Sequence, residues 1–261
     1  MATAEKKDDL VNLALSGWVG VGTSTLTIML ALILKREYYY IGRVMRYLDD
    51  LLHEHGPTMS IENERMLQPT VGKTFDKYVD HILTNYSGII VESDMSAFRI
   101  GKHPKVYSIF LKANKTQRNK RAKADKRKGE ESLERRDETL QQEYIKLWDV
   151  DVFDVELIKR KYNLLIDNSK FSVEQEIDAI LERLRQHPKF EVDAKWGQIQ
   201  KRKEKYLRVY SKKGKAGIKQ LLEESKLVVN AENMLREMVQ IFPEDVSSYP
   251  KEVQKIFLGQ K

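Results

Sequence analysis

From Leu10 to Leu34 the chain reads LVNLALSGWVGVGTSTLTIMLALIL, without one charge, in a protein whose residues are 33% charged. An uncharged run of this length is long enough to cross a bilayer. Its middle argues against that. Ser16, Gly17, Gly20, Gly22, Thr23, Ser24, Thr25 and Thr27 put small polar and helix-weakening residues where a span needs apolar ones. A signal peptide fits no better, because Asp8 and Asp9 spoil the basic flank. The remaining reading is a buried strand over Leu10–Leu15, a glycine-rich loop over Gly17–Gly22, and a helix over Thr23–Leu34.

A strand, a glycine loop and a helix start form an anion cradle, because loop amides and the unbonded amides of the first helical turn converge. Gly17, Gly20 and Gly22 would let main chain approach a polyphosphate, and Ser24 falls where the P-loop pattern places a hydroxyl for Mg²⁺. The lysine of that pattern is absent; Thr23 holds its place.

Outward from this stretch, short apolar runs recur: Tyr38–Ile41, Ile89–Val91 ending in Glu92, Lys105–Leu111 and Tyr162–Ile166. Helical segments separate them. One runs from about Val44 to Leu52, another over Glu62–Leu83, and surface helices fill residues 112–147. A further helix starts at Ser172 with Gln175 completing a capping box and Ile177, Ile180, Leu181 and Leu184 on one face. About five strands alternating with helices imply a parallel sheet covered on both faces, with ligands at the strands' carboxyl ends. Residues 1–188 are therefore expected to form one α/β domain. Past Pro188 strand signals stop. Lys195–Tyr210, Ile218–Lys226 and Asn230–Phe242 read as three helices of a basic extension over residues 189–261, with Trp196, Ile199, Tyr206, Leu207 and Tyr210 as a packing stripe.

The chain has 261 residues, a net charge of +7 and no cysteine. Disulfides and thiolate metal sites are excluded, and a reducing, cytoplasmic setting is expected. The five histidines are scattered and suggest no metal cluster. Basic residues concentrate in Lys112–Arg136 and Lys195–Lys219. The charge suits an anionic small substrate; nucleic acid is the lesser expectation, and the C-terminal helices could instead hold a protein partner or a second copy.

Several segments, in order, resemble the short cytidylate kinases of the archaeal type, among the nucleoside monophosphate kinases. They are the loop GWVGVGTST, Tyr40–Arg46 (YIGRVMR), Ile89–Phe98 (IIVESDMSAF), Arg136–Thr139 (RDET) with Tyr144, Asp149–Asp154 (DVDVFD), and Leu164–Ser172 (LLIDNSKFS). That family also places threonine where other P-loop enzymes have lysine. The resemblance implies a P-loop NTPase-type five-stranded sheet, a mobile helical lid over about residues 112–147, and transfer of a phosphoryl group from ATP to CMP or dCMP with Mg²⁺. It places Gly17, Gly20, Val21, Gly22, Thr23, Ser24, Thr25 and Arg118 on ATP, with Ser24 on the metal. Thr23, Arg121, Arg127 and Arg136 would face the transferring group, and Arg43, Arg46, Glu92 and Asp94 would surround the acceptor. Three departures stand out. Arg43 replaces a common aspartate, Asp94 a usual arginine, and Gln141 and Gln142 fill a lid stretch where a further arginine is usual. A P-loop protein that binds nucleotide for regulation or scaffolding, without turnover, is the alternative.

Overall fold

The computed structural model describes residues 10–55, 69–124, 133–190, 193–247 and 254. Strand β1 (Asn12–Gly17) leads through the glycine loop into α1 (Thr23–Leu34). β2 (Tyr38–Tyr40), α2 (Ile41–His55) and α3 (Pro69–Asn85) precede β3 (Ile90–Glu92). Next come β4 (Val106–Lys112), α4 (Lys115–Ala124), α5 (Leu133–Trp148), α6 (Val155–Lys161) and β5 (Leu164–Asp167). The chain continues through α7 (Val173–Arg185), α8 (Asp193–Glu224), α9 (Ala231–Ile241) and α10 (Pro243–Ser247).

All five strands are parallel, in the order β2-β3-β1-β4-β5. Alternate residues along each strand face opposite ways, and both ways lead into apolar core. Leu13 and Leu15 of β1, with Ile109 and Leu111 of β4, pack against α1, α7 and α8. On the other face Ala14 and Val91 meet α2, α3 and α9, while Phe110 meets α5 and α6. This two-sided burial is why β1 carries no charge. The apolar character of α1 has the same cause: Thr25–Ile33 are all buried between the sheet and α8. Among the described residues no helix is long and apolar enough to cross a membrane.

The helices expected as a C-terminal extension share the core of the sheet. Ile199, Ile218 and Leu222 of α8 join the cluster around α1, and Met234, Leu235 and Met238 of α9 join the cluster around α2 and α3. Residues 227–229 close the β2 edge: Tyr38 N–H donates to Leu227 O at 2.8 Å, and Val229 N–H donates to Tyr38 O at 3.0 Å. Two of the three expected helices are one bent helix. Lys195–Tyr210 and all but the last two residues of Ile218–Lys226 belong to α8, and the bend is at Gly214, with φ 61 and ψ −157. That conformation is accessible essentially to glycine alone. One turn on, a Cβ at Gly217 would fall 2.5 Å from Lys213 Cβ, so the bend needs both glycines.

One buried amide fixes the spacing of the central strands. Asn12 is fully buried; its Nδ2 donates to Leu83 O at 2.8 Å and Tyr86 O at 2.7 Å, and its Oδ1 accepts from Ile89 N–H at 3.0 Å. These bonds satisfy the end of α3 and deliver the chain into β3. Asn12→Ala strands two buried main-chain groups and one half-buried one, so urea denaturation is expected to show a stability loss of about 2–4 kcal/mol; a loss under about 1 kcal/mol would contradict this role.

Candidate functional site

A cleft of ≈ 1060 Å³ opens at the carboxyl ends of β1 and β3. This is the edge of a parallel sheet where chain order reverses and ligands gather. Its floor is the loop after β1 with the first turns of α1.

The loop is shaped by contacts within the protein. Gly17 has no room for a side chain: a Cβ there would lie 2.7 Å from Leu111 O and 2.8 Å from a Val21 methyl. Its role is thus close packing on β4, and approach to a ligand falls to Gly20 and Gly22. Both have positive φ, 83 and 96. Gly22 occupies the N-cap of α1 and no side chain caps that helix. The first turn of α1, whose amides no helix can bond internally, lines the cleft with Thr23, Ser24 and Thr25.

Beneath them sits a buried acid. Ser24 Oγ donates to Glu92 Oε1 at 2.6 Å, and Tyr38 O–H donates to Oε2 of the same carboxylate. Glu92 is 6% exposed. Burial raises its pKa, and the hydrogen bonds from Ser24 and Tyr38 pull the other way. Glu92, expected beside the acceptor, is therefore joined to Ser24, the expected metal ligand. Three strands make this corner: β1 through the loop, β3 through Glu92, and β2 through Tyr38.

The basic segment lies beside the loop. Arg118, expected on the donor phosphates, does not line the cleft. Its guanidinium pairs with both carboxylate oxygens of Asp137, at 2.9 and 2.5 Å, and donates to Val19 O at 3.1 Å. Arg121 does line the cleft. It donates to Val21 O and Asn168 Oδ1, both at 2.8 Å, and to Asn168 O at 3.0 Å. Asn168 Nδ2 also donates to Val21 O, at 2.9 Å. Arg136 joins the lining from α5, and Arg127 lies outside the described residues.

The opposite wall belongs to α2 and the turn after β3. Arg43, Arg46 and Asp94 all line it. Arg46 lies over the Tyr40 ring, its guanidinium carbon 4.9 Å from the ring centroid. Four further lining residues carried no signal as a set: Tyr38, Glu176, Lys215 and Lys219. Asn168 and Glu176 follow β5, inside segments whose local pattern speaks only of a turn and a capped helix. Among the described residues no group of three or more acidic or histidine side chains is arranged to hold a metal by itself.

No family model matches the chain, and no curated protein matches it in sequence. Among solved structures, an uncharacterized protein from Eubacterium ventriosum is similar with a TM-score of 0.48 and 13% identity, covering 66% of this chain and 97% of that one. Shikimate kinase from Bacteroides thetaiotaomicron aligns with a TM-score of 0.44 and 12% identity, over 67% of this chain and 98% of its own. A sugar kinase from Janibacter sp. gives 0.41 and 14%, over 70% and 99%. Likeness this remote carries neither an activity nor a substrate to this chain.

Glu176 makes stability depend on pH. Burial raises its pKa from 4.5 to about 7, against the hydrogen bond with Asn168 and the charge of Arg121. Between those values the folded chain keeps a proton that the unfolded chain has released, so this group's contribution falls as pH rises through the window. The loss is ~3 kcal/mol once both forms are ionised. Glu176→Gln removes the titration. The melting temperature of the variant relative to the unaltered chain is expected to be higher at pH 8 than at pH 5; an equal difference at both would refute the assignment.

Proposed function

We propose that the chain transfers the terminal phosphoryl group of ATP to a nucleoside monophosphate, with CMP or dCMP preferred. The observation that carries this reading is the hydrogen bond between Ser24 and buried Glu92 at the foot of an uncapped helix start. Hydroxyl and carboxylate oxygens are the hard donors that Mg²⁺ takes, alongside phosphate and water. Ser24 and Glu92 would hold that ion, which neutralises charge on the transferring group. The preference for cytidylate comes from the resemblance of Tyr40–Arg46 and its companion segments.

Each wall has its part. Main-chain amides of Gly20, Gly22, Thr23, Ser24 and Thr25 bind the donor phosphates, with no side chain capping the helix; Val21 N–H is already given to Trp18 O at 3.2 Å. Arg46, held over Tyr40, meets the acceptor phosphate with its guanidinium fork. Arg43 and Asp94 line the cleft beside it. Arg121 and Arg136 approach from the lid side and add positive charge between the two phosphates. The ties from Arg118 and Arg121 to loop carbonyls hold the loop's shape. Closure of the surrounding walls would exclude water that otherwise hydrolyses ATP.

A second reading, nucleotide binding without transfer, is favoured by one specific feature: Thr23 brings no charge where the P-loop pattern has lysine. One experiment separates the two. With Mg-ATP and each nucleoside monophosphate in turn, CMP is expected to give CDP. Arg46→Ala is expected to cut kcat/KM at least 100-fold, about 3 kcal/mol of lost transition-state binding. Saturable ATP binding with no diphosphate from any acceptor would establish the second reading and reject the first.

A further inference from the structure

A triphosphate donor carries charge that the loop amides alone neutralise poorly, which is why P-loop sites add a lysine reaching the β- and γ-phosphates. Here Thr23 stands at that position. The lid arginines nearest the loop are engaged elsewhere: Arg118 with Asp137 and Val19 O, Arg121 with Val21 O and Asn168. Arg43 and Arg46 belong to α2, on the wall across the cleft. Arg136 enters from α5, and two further cations that line the cleft, Lys215 and Lys219, come from α8.

Their presence there is built into the fold. α8 bends at Gly214, whose φ of 61 and ψ of −157 suit glycine alone, and Lys215 is the next residue. Nothing within 4 Å of Gly214 would obstruct a Cβ, so crowding at that position does not explain the bend. Beyond it, Ile218 and Leu222 are buried against α1, and the pairing of residues 227–229 with Tyr38 ties the end of this segment to the sheet. Residues 215, 219 and 222 recur on one helical stripe; the stripe is apolar where it meets the core and basic where it meets the cleft. Lys215 is half-buried, and its charge acts on the Glu92 carboxylate, counteracting the effect of that group's burial.

We infer that Lys215, delivered from the C-terminal helix by the bend at Gly214, is the cation that engages the donor's β- and γ-phosphates in place of the lysine missing from the loop. The inference rests on the donor site proposed above. It gives the C-terminal helices a part in the site itself. A lysine suits the task because its ammonium is a point charge on a flexible stem, able to turn from a carboxylate to a phosphate beside it.

The test is Mg-ATP binding by calorimetry on the full chain. Lys215→Ala is expected to weaken Mg-ATP at least tenfold while changing AMP affinity less than twofold, since AMP lacks the phosphates concerned. Lys215→Arg should recover most of the loss, and Lys212→Ala, exposed on the same helix, should leave binding unchanged. Mg-ATP bound by Lys215→Ala within twofold of the unaltered chain would overturn the inference and leave the donor site standing. No Mg-ATP binding by the unaltered chain would overturn both. A measurement on the unaltered chain guards against a variant that fails to fold. An acyl-phosphate derivative of ATP carries an acyl carbon beside the γ-phosphate; a neighbouring lysine amine attacks it, forming an amide and releasing ATP. Mass spectrometry should find the acyl group on Lys215, suppressed by excess ATP. Labelling confined to other lysines would overturn the assignment.

Discussion

A carboxylate that must leave water needs donors, and the centre of this molecule is arranged around one such group. Glu92 ends β3 under the glycine loop, where Ser24 and Tyr38 supply its hydrogen bonds. Removing either donor would leave buried charge or force the acid to hold a proton. The arrangement therefore demands that three strands finish at the same level. β3 must lie between β1 and β2, in parallel, which is the observed order. Asn12 secures the approach to β3, and residues 227–229 close the outer edge of β2 beside Tyr38. The cleft follows from that convergence.

The loop above the acid is braced from the other side of β1. Arg118, Arg121 and Asn168 take the carbonyls of Val19 and Val21. Two of these groups come from the basic segment and one from the end of β5, so β4 and β5 also serve the loop. Bracing carbonyls costs arginine forks that could have met phosphate. It also makes the first-turn amides of α1 a fixed platform, worth more to a ligand than amides that must be ordered on binding. Positive charge in the cleft then comes from Arg121 and from side chains that enter from α2, α5 and α8.

How much of this the sequence could reveal depends on the range of each interaction. The β1–loop–α1 unit was legible because its evidence is local: an uncharged run interrupted by small residues, then a helix that begins at Thr23 and ends at Leu34 as expected. The capping box of Ser172 and Gln175 was legible for the same reason. Glu92 was legible as a strand end, but its partner was not, since Ser24 lies 68 residues away. Asn168 looked like a turn residue, and only the folded chain sets it against Val21. The stretch SKKGKAG between Tyr210 and Ile218 looked like a helix break. Two glycines do weaken helices, yet here they permit a bend, because Ile218 and Leu222 find a core to bury themselves in. Arg118 was placed on the donor phosphates by the family resemblance, and Asp137, 19 residues on, was not evident as its counterion.

On the proposed function, main-chain amides of Gly20 and of the first turn of α1, beside the Ser24–Glu92 pair, grip a triphosphate. Hydrogen–deuterium exchange of the full chain with and without Mg-ATP tests this most directly, because it reads those amides themselves. Mg-ATP is expected to slow exchange across residues 19–26, and Mg²⁺ alone is expected to leave it unchanged. Unchanged exchange in that segment, with protection by Mg-ATP appearing only elsewhere in the chain, would contradict it.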